Sequence, residues 1–148
     1  MRFSEFYEGQ VIVCGPASLT ERQIVAFARE YDPQWFHTEP QRATESTWQG
    51  LIASGWQTCG VAMRLACDEI FAGSESFGSP GLAYLKWENP VRPGDQLSLR
   101  IDVIEVRVAR SKPELGIVRW RWRLYNQHEH AVLDLEATNL FDLASVPT

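Results

Sequence analysis

Between Ser54 and Phe71 the chain reads S-G-W-Q-T-C-G-V-A-M-R-L-A-C-D-E-I-F. At helical spacing its apolar side chains fall on nearly every side: Trp56, Cys59, Val61, Met63, Leu65, Cys67 and Ile70 leave no stripe for water. A helix apolar all round is a buried one, and Gly73 is a natural stop for it. Whatever fold the chain adopts must therefore cover one helix, and the sequence downstream supplies the cover.

After Gly73 the texture becomes that of strands. Gly78-Ser79-Pro80-Gly81 reads as a turn and Leu82 to Trp87 as a short strand, with a second turn at Pro90 to Asp95. Leu97, Leu99, Ile101 and Val103 then share one phase, and Ile104, Val106 and Val108 the other. That slip predicts a bulge in a long, bending strand. Ser111 to Gly116 reads as the next turn. Val118, Trp120, Trp122 and Leu124 alternate with Arg119, Arg121, Arg123 and Tyr125, a strong strand pattern. A polar turn, Asn126 to His130, precedes a last strand over Val132 to Leu143.

Upstream, Gln10 to Cys14 is apolar enough for a strand ended by Gly15-Pro16. Thr20 and Gln23 have the spacing of a capping box, followed by Ile24, Val25, Phe27, Ala28 and Tyr31 at helical intervals. Pro33 pushes Asp32 out of helical geometry, so the helix stops there. Gln34 to Gly50 is irregular, and loops of that length are usually functional or partly helical. One buried helix with several antiparallel strands is an α+β architecture. A sheet on one helix leaves an edge and part of the helix bare, and a homodimer is the simplest cover.

With 148 residues the chain suits a single domain spanning 1–148. Its net charge of −5 disfavours nucleic acid or an anionic membrane as the main partner. Cys14, Cys59 and Cys67 form no C-x-x-C pair, and an odd count suits a reducing compartment. No signal peptide and no membrane-spanning apolar run is present in the sequence, so a cytoplasmic protein is expected.

Chemistry concentrates where the first helix ends and the central one begins. Asp32 and His37 stand five positions apart around Pro33, with Trp35 and Phe36 as apolar walls. Ser54-Gly55 opens the apolar helix, whose free N–H groups and positive dipole end suit a carbonyl gaining negative charge. An acid, an imidazole and such a helix end are parts for acid–base chemistry beside an oxyanion. Trp48 and Trp56 flank the glycine step and are candidates for an acyl pocket. Arg119, Arg121 and Arg123 read first as a solvated strand face, with coenzyme A phosphates as the alternative. Arg110 and Lys112 are similar candidates on a turn. His128-x-His130 lacks a third ligand in sequence, so no metal is expected.

These residues carry a resemblance. The chain resembles the MaoC-like branch of the hotdog superfamily, which includes the (R)-specific enoyl-CoA hydratases. That family's Asp-x-Asn-Pro-x-His motif has the same offset as Asp32 to His37. Its small-residue step into the central helix matches I-A-S-G at Ile52 to Gly55, and its P-V-x-x-G-D turn matches Pro90 to Asp95. The order is kept from Gln10 to Phe141. Two departures stand out. Gln34-Trp35 replaces Asn-Pro, and the helix serine that supports the acid in many hydratases, eight residues beyond the glycine, is Met63.

The resemblance implies a hotdog fold: an antiparallel sheet wrapped around a long central helix, with a helical overhanging segment before it. It implies syn hydration of an enoyl thioester of coenzyme A, or the reverse dehydration, with no cofactor. His37 would act as base toward a water and Asp32 would protonate the α-carbon. Gly55 would polarise the thioester carbonyl, with Ser54, Trp35 and Trp56 around the substrate. The partner would be acyl-CoA, and the assembly a homodimer or dimer of dimers. A hotdog thioesterase is the nearest alternative, although the acids on the helix, Asp68 and Glu69, fall at its far end. A non-catalytic acyl-thioester-binding module is the other.

Overall fold

The computed structural model describes residues 1–145; residues 146–148 of the expected domain lie outside the described residues. In chain order the strands are β1 (Val11–Ala17), β2 (Ser76–Lys86), β3 (Leu97–Ala109), β4 (Lys112–Tyr125) and β5 (Ala131–Asp142). The helices are α1 (Glu21–Tyr31), α2 (Trp35–Thr38), α3 (Pro40–Thr44) and α4 (Gly55–Ala66), the last continuing into a π-helical turn, Cys67–Phe71. All strand pairs are antiparallel, in the order β1-β3-β4-β5-β2.

Alternation along β4 sets the two faces of the sheet. Val118, Trp120, Trp122 and Leu124 turn inward and are buried, joined by Leu99, Ile101, Leu133 and Phe141 in one core. The Trp120 indole N–H satisfies itself on Asn139 Oδ1 at 2.9 Å. On the outer face the arginines are paired across strands: Arg119 with Glu105 and Glu136, Arg121 with Asp134, Arg123 with Asp102. Such cross-strand pairs stitch the exposed side of a sheet. The Arg121 hydrogen bond, against the upward push of burial, holds the Asp134 carboxyl below the usual range.

The phase slip in β3 is a bulge. Val103 opposes Trp120 and Glu105 opposes Arg119, leaving Ile104 without a partner position. Two turns expected from the sequence are strand instead. Gly78-Ser79-Pro80-Gly81 lies inside β2, where register shifts absorb it. An edge strand has one partner only, so Pro80 needs no second ladder bond. Ser111 to Gly116 likewise belongs mostly to β4, because Ala109 pairs with Lys112 and the chain reverses at Arg110-Ser111. Gly116 is there for close approach: a Cβ would stand 2.7 Å from the Phe3 ring.

The capping box of α1 forms, with Thr20 Oγ1 accepting from the Gln23 amide at 3.1 Å and Gln23 Oε1 from the Thr20 amide at 2.9 Å. Ile24 and Ala28 are its buried contacts. The irregular connection contains α2 and α3, the latter opened by Pro40. The α-helical part of the central helix ends at Ala66, the π-helical turn carries it on to Phe71, and it is not covered all round. Gln57, Thr58, Ala62, Leu65 and Ala66 are buried, whereas Trp56 is 60% exposed and Met63 45%. One sheet covers one side of it.

Candidate active site

Asp32 caps α1. Its amide still bonds to Ala28 O at 2.8 Å, but its backbone has left the helix at φ −151°, ψ 67°. The Gln34 amide then bonds to Asp32 O at 2.8 Å, and α2 begins at once. This sharp step over Pro33 turns His37 back toward Asp32, with Nε2 3.2 Å from Oδ2. His37 is 5% exposed, and its Nδ1 lies 2.7 Å from Ile52 O. A carbonyl only accepts, so Nδ1 carries the proton and Nε2 is the nitrogen that faces Asp32. The Ile52 amide bonds in return to Phe36 O at 3.2 Å, tying α2 to the segment that enters α4.

Two donors hold the carboxylate. Ser54 Oγ donates to Asp32 Oδ2 at 2.8 Å, and Gln34 Nε2 to Oδ1 at 2.7 Å. Burial pushes the Asp32 carboxyl up. The hydrogen bonds from Gln34 and Ser54, with the charge attraction of His37, outweigh it and leave the group below its ordinary value. Both departures from the family motif meet here. Met63 is exposed on α4, and the support for the acid comes instead from Ser54 and from Gln34, the residue that stands in the altered motif. The Ser54 side chain, placed among the substrate-binding residues by resemblance, thus points at Asp32.

At the start of α4 the amides of Gln57 and Thr58 both bond back to Ser54 O, at 3.0 and 3.1 Å. Among the described residues no hydrogen bond uses the Gly55 amide. Gly55 also has no room for a side chain, since a Cβ would lie 2.4 Å from Trp87 Cε2. A cavity of about 250 Å³ opens between these parts, lined by Phe36, His37, Trp48, Ile52, Gly55, Thr58, Trp87, Asn89, Val91 and Val132 among others. Its walls are mostly apolar, with His37 at one of them. An imidazole beside a carboxylate, an unclaimed amide and an apolar recess can move a proton next to a carbonyl.

Of the aromatic residues singled out in the sequence, Phe36 and Trp48 line this cavity. Trp35 stands outside its lining, under the Arg42 guanidinium at 4.5 Å. Trp56 is also outside, edge-on to Trp87 with ring centres 5.1 Å apart. Trp87 and Asn89 were not singled out. They precede the P-V-R-P-G-D turn, and only tertiary contact brings that turn to α4: the Ala53 amide bonds to Val91 O at 2.9 Å. The strand arginines are engaged in the ion pairs of the outer face. His128 and His130 have ring centres 6.0 Å apart, and among the described residues no cluster of three metal-ligating side chains occurs. Among the described residues no helix is long and apolar enough to cross a membrane.

Comparison with known proteins bears on the family and the fold. The family model described as MaoC-like domain matches residues 7–120. An uncharacterized protein of Bacillus subtilis, YdeM, is 31% identical over 140 residues, 95% of this chain and 98% of its own length. The crystal structure of a MaoC-like dehydratase from Rhodospirillum rubrum is similar with a TM-score of 0.85 at 30% identity, covering 94% of each chain. The R-hydratase PhaJ1 from Pseudomonas aeruginosa, 23% identical, is similar in fold, with a TM-score of 0.71 over 99% of this chain and 93% of its own.

Proposed function

The chain belongs to the MaoC-like domain family and has its hotdog fold, and from that premise we propose that it adds water to, or removes it from, an enoyl or 3-hydroxyacyl thioester of coenzyme A. The observation that carries this reading is the Asp32–His37 pair, 3.2 Å apart, with His37 lining the same apolar cavity as Gly55, whose amide is unclaimed. In the hydration direction His37 Nε2 takes a proton from a water bound beside the pair. The hydroxyl adds to the β-carbon, and a proton on Asp32 passes to the α-carbon on the same face. The thioester oxygen gains enolate charge in that step, and the Gly55 amide stabilises it.

The pair then carries its proton on His37 and returns it to Asp32 across their direct contact. Dehydration runs the same path backwards: the Asp32 carboxylate accepts the α-proton and His37 protonates the leaving hydroxyl. The lowered pKa of Asp32 favours the ionised form, which is the form dehydration needs. No cofactor enters the scheme. α4 carries no acid for a thioesterase, Asp68 and Glu69 of the π-helical turn do not line the cavity, and Asp68 is bound to Arg64; the one carboxylate in the lining is Glu88, from the segment after β2.

We read the chain as one domain acting as a homodimer, with the open side of α4 at Trp56 and Met63 and the exposed edge strand β2 as the surfaces to be covered. Three free cysteines suit the cytoplasm as its compartment. The test is incubation with a trans-2-enoyl-CoA, following loss of the conjugated thioester absorbance and identifying the product. A 3-hydroxyacyl-CoA is expected. Free thiol release would make the protein a thioesterase instead, and acyl-CoA binding without turnover would make it a binding module.

A further inference from the structure

Resting on the acyl-thioester reading above, we propose that Arg92 is a positioning residue for substrate binding, which holds Trp48 in place as a wall of the cavity. Trp48 belongs to the cavity lining and Arg92 does not. The link between them is a hydrogen bond from Arg92 Nη2 to Trp48 O at 2.5 Å. Trp48 otherwise sits in a curl tied only to itself. Its amide bonds to Ser46 Oγ, the Gln49 amide to Ser46 O and the Gly50 amide to Ala43 O. Among the described residues, the Arg92 contact is the hydrogen bond that fastens Trp48, Gln49 and Gly50 to a distant part of the chain.

The arm projects from a fixed base. The Arg92 amide bonds to Asp95 Oδ2 at 2.9 Å, Asp95 Oδ1 accepts from Gln127 Nε2 at 3.0 Å, and the Gly94 amide reaches Leu19 O at 2.8 Å. Its far end is given room at a cost. Gly50 has φ +152°, and a Cβ there would stand 2.9 Å from Arg92 Nη1, so the glycine leaves the space the guanidinium enters. Nη1 itself is buried with no hydrogen-bond partner. An unpaired buried donor on a cation lowers stability, and such departures collect at functional sites. The His37 end of the same segment does not depend on this side chain. Ile52 O accepts from His37 Nδ1, and the Ala53 amide bonds to Val91 O, both on main-chain carbonyls. Removing the guanidinium therefore loosens the wall at Trp48 and leaves the acid–base pair held.

The experiment is steady-state hydration of trans-2-butenoyl- and trans-2-hexenoyl-CoA by wild type, Arg92→Ala, Arg92→Lys, Trp48→Ala and the Arg92→Ala/Trp48→Ala double variant. In Arg92→Ala, KM for the better substrate should rise roughly tenfold, the loss of about 55 Å² of apolar contact, with kcat kept. Arg92→Lys, which keeps a cation and a donor, should recover part of the KM. On top of Trp48→Ala, Arg92→Ala should change KM little further, because the wall it holds is already gone. A merely structural role would instead lower kcat through loss of active enzyme and leave KM as it was. That pattern, or KM effects of the two single variants that simply multiply in the double, overturns the inference while wild-type hydration upholds the thioester reading. A wild type that hydrates neither substrate overturns that reading and the inference with it.

Discussion

Replacing Ser54 with alanine removes a hydroxyl whose role is to hold Asp32. Ser54 is 0% exposed and its Oγ donates to Asp32 Oδ2 at 2.8 Å. A hydrogen bond to a charged group contributes about 1.5–3 kcal/mol. The Asp32 side chain is only 16% exposed, so water replaces little of what is lost. Denaturant unfolding at neutral pH should therefore show a deficit of about 1.5–3 kcal/mol. The pH dependence separates this cause from a simple cavity. The folded-state pKa of Asp32 is lowered, so its stabilisation is present above the unfolded value of about 3.9 and lost as pH falls through the folded one. The deficit should shrink in acid as the two proteins converge. In the dehydration direction, which needs Asp32 ionised, the acid limb of activity should move up toward the ordinary carboxylate range, and Ser54→Thr, which keeps a hydroxyl, should restore much of both. A deficit equal at every pH, with an unmoved acid limb, would refute the role given to Ser54.

Two other substitutions have defined outcomes. Gly55→Ala drives a Cβ into the Trp87 ring, so kcat/KM should fall by about 10²-fold through misplacement at the carbonyl site while circular dichroism stays unchanged. Arg121→Ala leaves the buried Asp134 carboxylate with Tyr84 alone. Discounted because Arg121 is partly in water, the loss should be about 2 kcal/mol by denaturant unfolding at neutral pH. It should fade in acid, because the lowered pKa of Asp134 makes its contribution one that is lost as the carboxyl protonates.

Local rules carried much of the fold. The Thr20–Gln23 box, the Pro33 stop, the bulge at Ile104 and the alternation of β4 are each set by neighbours in sequence, and each is found in the structure. The misread turns have a shared cause. Gly78, Gly81 and Gly116 have turn chemistry in isolation, but edge-strand bulging and the close approach of Phe3 are tertiary facts. The apolar stripe around α4 was legible, whereas its open side depends on how far one sheet reaches.

At the site, the offset from Asp32 to His37 placed both groups together because the step over Pro33 is local. Ser54 was visible as a helix-start residue, but its aim at Asp32 depends on the tie between Ile52 and Phe36. Trp87 gave no local signal. It reaches the cavity because the turn after it bonds to the entry of α4.

The most direct measurement is turnover of a short trans-2-enoyl-CoA by wild type, Asp32→Asn and His37→Gln, side by side and with folding checked. Each substitution keeps the side chain's size and removes its proton chemistry. The account predicts a 3-hydroxyacyl product from wild type and a loss of about 10²–10⁴-fold in kcat for each variant, with acyl-CoA binding largely kept. Wild-type turnover in either variant would contradict it.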